Sequence, residues 1–312
     1  MMSRILQLAL LFCSFCIHAE LMNHLKAAPN KSADHSMPGI DFIYMINLDQ
    51  RPEKFDFSKR QLALYGIEPY RFSAVNGWEL TLEQINDIGL KYSPLMNGDF
   101  LGTSYLSEDF LPEHGLISNY GQAYFCHCMA RGTIGIALSH ISILKDAYDS
   151  GYETIWVMED DIEVLQDPNK LSELIQELDD AVGKNNWDIL FSDTDIRDSE
   201  GFHVSTCAAA RRPDYDVFSS EHNYSEVTYI NNTFKKVGAR FGATSMIVRR
   251  SGMKKLLQFY MNHGIFLPYD MDYILPRGIK LYSLNEDIVS NLPKALSDNG
   301  GANYKNKPKG NL

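Results

Sequence analysis

The chain has 312 residues, 45% of them hydrophobic and 22% charged, and a formal charge of -11. This is ordinary globular composition, with ample apolar material for one large domain or two small ones. The acidic balance argues against a nucleic-acid binder, which carries a basic patch or stripe. It leaves a nucleotide substrate open, because a bound metal supplies positive charge locally.

Met1-Met2-Ser3-Arg4 is a short basic start, and Ile5 to Ile17 is apolar. With the weak cleavage site His18-Ala19-Glu20, residues 1–19 read as a secretory signal or an uncleaved anchor. The alternative is a frayed apolar start of a cytoplasmic enzyme. Export to a periplasm or secretory lumen, or anchoring to a membrane through this segment, is the expectation, with the cytoplasmic face as the other reading. Residues 20–39 are polar and read as a linker. Cys13 and Cys16 fall in the leading segment, which leaves Cys126, Cys128 and Cys207. Cys126-His127-Cys128 is too closely spaced for a familiar zinc site. It reads as a structural thiol pair, with a disulfide from Cys207 to one of the two as an alternative.

The folded part is expected over 40–296. Phe42 to Leu48 reads as a strand and Pro52 to Tyr65 as a helix, with Pro52 suited to its first turn and Gly66 to its end. Tyr70 to Val75 is a second strand, closed by the turn dipeptide Asn76-Gly77. Leu80 to Met129 reads as a short helix followed by a long loop or lid. Thr133 to Tyr148 has helical periodicity, Thr154 to Met158 is a buried strand, Leu171 to Ala181 a helix and Trp187 to Phe191 a strand. Phe202 to Lys236 reads as a strand pair with loops. Thr244 to Val248 is a strand, Ser251 is expected to cap a helix reaching about Tyr260, and Lys280 to Leu284 is a last strand. Residues 297–312 read as a flexible polar tail. Alternating strands and helices imply an α/β fold with a mainly parallel sheet flanked by helices. Ligands of such sheets bind beyond the carboxyl ends of the strands. Asn47, Asn76, Glu159 to Asp161 and Asp193 all end or follow an expected strand there.

Glu159-Asp160-Asp161 closes the strongly apolar run Thr154-Ile155-Trp156-Val157-Met158. Packed acids repel, and burial disfavours their ionised forms. A divalent cation relieves both costs, and oxygen ligands suit Mg2+, Mn2+ or Ca2+. A solvated acidic loop is the plain alternative. On an extended backbone Glu159 and Asp161 would share one side and Asp160 the other. Asp193-Thr194-Asp195 and Asp270-Met271-Asp272 have the same acid-x-acid form, so spacing alone does not decide between them.

Four ordered stretches are more specific: Ile46-Asn47-Leu48-Asp49-Gln50-Arg51-Pro52, Phe72-Ser73-Ala74-Val75-Asn76-Gly77, Gly135-Ile136-Ala137-Leu138-Ser139-His140, and Val157-Met158-Glu159-Asp160-Asp161-Ile162. Their order resembles glycosyltransferase family 25, the lipopolysaccharide and collagen β-galactosyltransferase group. Gly242 to Val248 with Ser251-Gly252, and Pro268-Tyr269-Asp270-Met271-Asp272, resemble its later motifs. The resemblance implies a GT-A type, Rossmann-like single catalytic domain. It also implies inverting transfer of a sugar from a nucleotide sugar, UDP-galactose foremost, to a hydroxyl of a glycan, lipopolysaccharide, lipid-linked or glycoprotein acceptor.

By the same resemblance, Glu159 and Asp161 hold the metal. Asp160, Asn47, Arg51, Asn76, Ser139 and His140 hold the donor, and Asp270 or Asp272 is the catalytic base. The plain alternatives are a surface ion pair for Arg51, a structural hydrogen bond for His140 and a helix cap for Asp270. Trp156 and Trp187 read as core, whereas Trp78 beside its turn is the candidate for stacking on a sugar. The chain departs from the family pattern at Thr133, where a glutamate is usual, and over Leu90 to Met129. A non-catalytic carbohydrate-binding protein and a metal-dependent phosphoester hydrolase are the other two classes considered. The hydrolase would need a second ligand cluster, and the nine histidines show no paired spacing.

Overall fold

The computed structural model describes residues 20–107, 111–204, 210–215, 224–299 and 304. One eight-stranded sheet forms its centre. From one edge to the other run β10 (Val227–Tyr229), β11 (Phe234–Val237), β13 (Leu281–Leu284), β9 (Ile189–Phe191), β12 (Ser245–Arg249), β7 (Thr154–Glu159), β1 (Phe42–Asn47) and β2 (Tyr70–Ser73). β7, β1 and β2 are parallel, as are β9 and β13. β12 lies antiparallel between these two blocks, and β11 and β10 are antiparallel at the far edge. The sheet is therefore mixed, with most strands running one way and β11 and β12 opposed.

Alternation along the strands builds two cores. Phe42, Tyr44, Ile46, Ile155 and Val157 face α3 (Arg131–Asp149) and α5 (Arg250–His263). Ile43, Met45, Trp156 and Met158 face α1 (Pro52–Ala63) and α4 (Lys170–Val182). Trp156 and Trp187 are fully buried, as expected of core residues. A short two-stranded sheet joins β8 (Ile162–Val164) to β14 (Val289–Asn291).

Leu80 to Met129 is not one long loop. It begins with α2 (Leu82–Ile88), where Thr81 Oγ1 accepts from Gln84 N and Gln84 Oε1 accepts from Thr81 N, a reciprocal capping box. An antiparallel sheet follows, built from β3 (Leu90–Lys91), β4 (Leu101–Tyr105), β5 (Pro112–Leu116) and β6 (Ala123–Cys126). These strands are only two to five residues long, so no strand pattern stands out in the sequence. Ser251 does not cap a helix. It lies inside α5, and its hydroxyl donates to Asp188 at 2.6 Å.

The segment expected as a linker is packed against the core. Leu21 is buried, Lys26 N donates to Ser142 Oγ at 2.9 Å, and Lys31 pairs with Asp146 at 2.7 Å. The described part of the expected tail is also docked, with Tyr304 buried. Cys126 and Cys128 are free thiols with their sulfurs 3.1 Å apart, while Cys207 lies outside the described residues. Among the described residues no helix is long and apolar enough to cross a membrane. The expected signal or anchor, 1–19, lies outside them.

Candidate active site

A cleft opens at the carboxyl ends of β1, β2 and β7, and Asn76, Trp78, Lys54 and Glu159 to Asp161 line it. All three acids reach the cleft, because β7 ends at Glu159 and the chain turns there. The alternation expected of an extended strand therefore does not continue through Asp161. Burial, reinforced by Asp270, pushes the Glu159 carboxyl up to about 7. Burial and the neighbouring Asp161 bring Asp160 to about 7, and burial with the Glu159 charge brings Asp161 to about 6.

Lys54 supplies the nearest positive charge. Its ammonium is 3.9 Å from Asp160 and 4.0 Å from Asp161, but only 2.8 Å from Asp298. One ammonium shared among three carboxylates does not neutralise the group, and the raised carboxyls express that deficit. Among the described residues no three acidic, histidine or cysteine side chains converge into a complete metal cage. A substrate phosphate could complete the coordination of an ion held by such acids, the common arrangement for Mg2+.

Asn47 is buried and fully engaged. Its Nδ2 donates to Asp160 at 2.6 Å and to the Arg51 carbonyl at 2.8 Å, and its Oδ1 accepts from Arg71 at 2.7 Å. It orients Asp160. Asn76 Oδ1 accepts from Trp78 N, while its buried Nδ2 and the Trp78 Nε1 find no partner among the described residues. Both side chains stand at the cleft with donors to spare. Arg51 donates to Glu53, Asp298 and Tyr304.

Ser139 is held inside the protein. It is fully buried, donates to the Gly135 carbonyl and accepts from Val75 N, so it fastens α3 to the chain after β2. His140 is buried too. Its ring stacks on Tyr269 at 4.1 Å, its Nε2 lies 3.2 Å from Glu159 Oε1, and burial lowers its pKa to about 3. It is a neutral partner for Glu159.

The two base candidates separate. Asp270 lies in α6 (Tyr269–Asp272), accepts from Gly242 N at 3.2 Å, and acts electrostatically on Glu159 and His140. Burial raises its pKa. It does not cap the helix, whose cap position is Pro268. Asp272 is fully buried and held by Arg212 Nη1 at 2.9 and 2.8 Å, so it is unavailable to an acceptor hydroxyl. Arg212 also pairs with Asp214 and donates to the His263 and Gly264 carbonyls, which makes Asp272 part of a structural clamp.

Sequence reasoning missed Lys54, Asp298 and Tyr304. Lys54 carried a signal, since it sits one turn beyond Arg51 at the start of α1 and shares its face. Asp298 and Tyr304, in a polar terminal stretch, carried none.

Residues 40–274 match the family described as "Glycosyltransferase family 25 (LPS biosynthesis protein)". A "Glycosyltransferase 25 family member" of Aedes aegypti is 29% identical over 153 residues, 49% of this chain and 21% of that protein. One from Drosophila melanogaster is 27% identical over 168 residues, 54% of this chain and 22% of that protein. "Procollagen galactosyltransferase 2" of Homo sapiens is 28% identical over 154 residues, 49% of this chain and 20% of that protein. The matched part thus spans only about a fifth of the length of these curated relatives.

Proposed function

Because the chain belongs to glycosyltransferase family 25, we propose that it transfers a hexose, galactose foremost, from a nucleoside-diphosphate sugar to an acceptor hydroxyl with inversion. The observation that carries this reading is the convergence of Glu159, Asp160, Asp161, Lys54, Asn76 and Trp78 on one cleft at the strand ends. A GT-A type architecture belongs to the same proposal, supported by the open α/β sheet and the acidic motif at its rim. Glycans, lipopolysaccharide and glycoproteins are the acceptor classes, and an exported or membrane-anchored location is part of the reading.

As the glycosidic bond breaks, negative charge gathers on the leaving diphosphate. Mn2+ or Mg2+ held by Glu159 and Asp161 would supply Lewis-acid stabilisation of that charge. Asp160, oriented by Asn47, supports this pair. Arg51 and Lys54 contribute fixed positive charge, and Asn76 Nδ2 and Trp78 Nε1 offer donors to the nucleotide or sugar. Asp270 is the base for the acceptor hydroxyl, and burial, which raises its pKa, makes it a better proton acceptor than an exposed carboxylate.

A thermal-shift screen of nucleotide sugars with and without Mn2+ tests the class. Stabilisation by one sugar nucleotide, enhanced by the metal, is expected. Asp161→Asn should lower transfer by at least about 10²-fold while the circular dichroism spectrum stays unchanged. Full turnover in that variant would remove the cation assignment. Phosphate release from simple esters would point to the hydrolase class, and sugar binding without donor turnover to a carbohydrate-binding protein.

A further inference from the structure

The cleft that holds the acids is closed on one side by the chain's own C-terminal stretch. Ser297, Asp298, Asn299 and Tyr304 all line it. The backbone there lies directly on the first turn of α3. A Cβ added at Gly132 would meet the Asn299 carbonyl at 2.6 Å and the Asp298 carbonyl at 2.8 Å. Lys54 Nζ also donates to the Leu296 carbonyl at 2.8 Å.

The Asp298 carboxylate is the focus of these contacts. It pairs with Lys54 at 2.8 Å and with Arg51 Nη1, and it accepts from the Tyr304 hydroxyl. Arg51 Nη1 also reaches that hydroxyl at 3.0 Å. Burial works against ionisation of Asp298, but its bonds to Lys54 and Tyr304 and the charges of Lys54 and Arg51 hold its carboxyl below the usual range. Two cations and a phenol hydroxyl thus converge on one anion, next to three acids that lack sufficient counter-charge. An oxyanion gripped in this way is what a phosphate group would present to the same donors.

We propose that Arg51 and Lys54 form the clamp for the donor's diphosphate, and that Asp298 is a built-in surrogate for it, so that the Ser297–Asn299 strap and a nucleoside diphosphate compete for the cleft. The proposal rests on the reading that this cleft takes a nucleoside-diphosphate sugar. When the diphosphate enters, Asp298 gives up both cations and the strap leaves that side of the cleft. While the strap is engaged, only the fraction of molecules with it released binds donor, and the apparent affinity is reduced by that fraction. Lys54 also lies 3.9 Å from Asp160 and 4.0 Å from Asp161, so donor binding and the acidic group are coupled through it.

Calorimetric titration of the full chain with UDP, in the presence of Mn2+, tests this. Asp298→Asn keeps the shape of the strap and removes its charge. It should bind UDP roughly fivefold or more tightly than the parent. Lys54→Gln should bind more weakly than the parent. Hydrogen exchange at 297–299 should rise when UDP is added to the parent chain. If the parent binds UDP but Asp298→Asn binds it equally or less tightly, the surrogate role is overturned and the donor reading stands. If Lys54→Gln binds as the parent does, the clamp is overturned. If neither the parent nor Asp298→Asn binds UDP or any other nucleoside diphosphate, the donor reading itself fails and takes the proposal with it.

Discussion

Glu159, Asp160 and Asp161 stand at the end of a strand whose preceding residues are fully or almost fully buried, and their carboxyls sit near 7, 7 and 6. An exposed carboxyl titrates near 4. These groups therefore bind more protons in the folded chain than in the unfolded one across that interval. Their contribution to stability is full below about pH 4 and is lost as the pH rises through 6 and 7. The cation-free protein is expected to show a falling thermal midpoint between pH 5 and pH 8, and Asp160→Asn should flatten that slope. A midpoint that climbs over the same range, with the variant parallel to the parent, would contradict the deficit of positive charge in the cleft. Added Mn2+ should stabilise most at the alkaline end, where the acids are ionised and free to hold it.

The turn after β2 meets the start of α3 at close quarters. The Arg131 guanidinium donates to the Gly77 and Leu80 carbonyls and fixes this corner. A Cβ at Gly77 would fall 1.7 Å from the Arg131 carbonyl oxygen, and one at Gly135 would fall 2.4 Å from the Val75 carbonyl. Backbone blocks both places, so neither can relax by turning a side chain. Gly77→Ala and Gly135→Ala should each cost about 1–3 kcal/mol or more in urea denaturation. They should also weaken donor binding, because Asn76 and Trp78 ride on this turn. Gly115→Ala in β5, where nothing lies within 4 Å, is the control and should stay within about 0.5 kcal/mol of the parent. The same corner explains Ser139, which sits in a family-like stretch but serves as the bolt between α3 and Val75.

Across the molecule, both flanks of the α/β sheet are drawn into the fold. Near the start of the described chain, Leu21 joins the core, and Lys31 reaches Asp146, which also accepts from the Tyr44 hydroxyl at 2.5 Å. Lys31 further lies over the Phe42 and Tyr152 rings. If residues 20–39 were a mere linker, Leu21→Ala would leave the melting curve unchanged. Packed as it is, Leu21→Ala should destabilise by about 2–5 kcal/mol, read by thermal or urea unfolding. At the other end the strap covers the cleft, so the two flanks differ in kind: one braces the core, and the other contacts the candidate site.

Local pattern was enough to read the central strands, the long helices, the family and the cleft's acidic motif, because each is written in consecutive residues. Unbroken apolar runs mark β1 and β7, the 3.6-residue period marks α3, and three consecutive acids after a buried run mark the rim of the cleft. Contacts between distant residues were a different matter. Asp270 and Asp272 are two positions apart and alike in type, yet the fold turns one toward Glu159 and seals the other against Arg212, sixty positions away. Ser139 and His140 are adjacent in the chain, yet one bonds to Val75 and the other lies against Glu159. Lys54 and Asp298 meet across the cleft from opposite ends of the chain. Burial and pairing belong to such meetings, and no run of neighbouring residues encodes which carboxylate a cation will find.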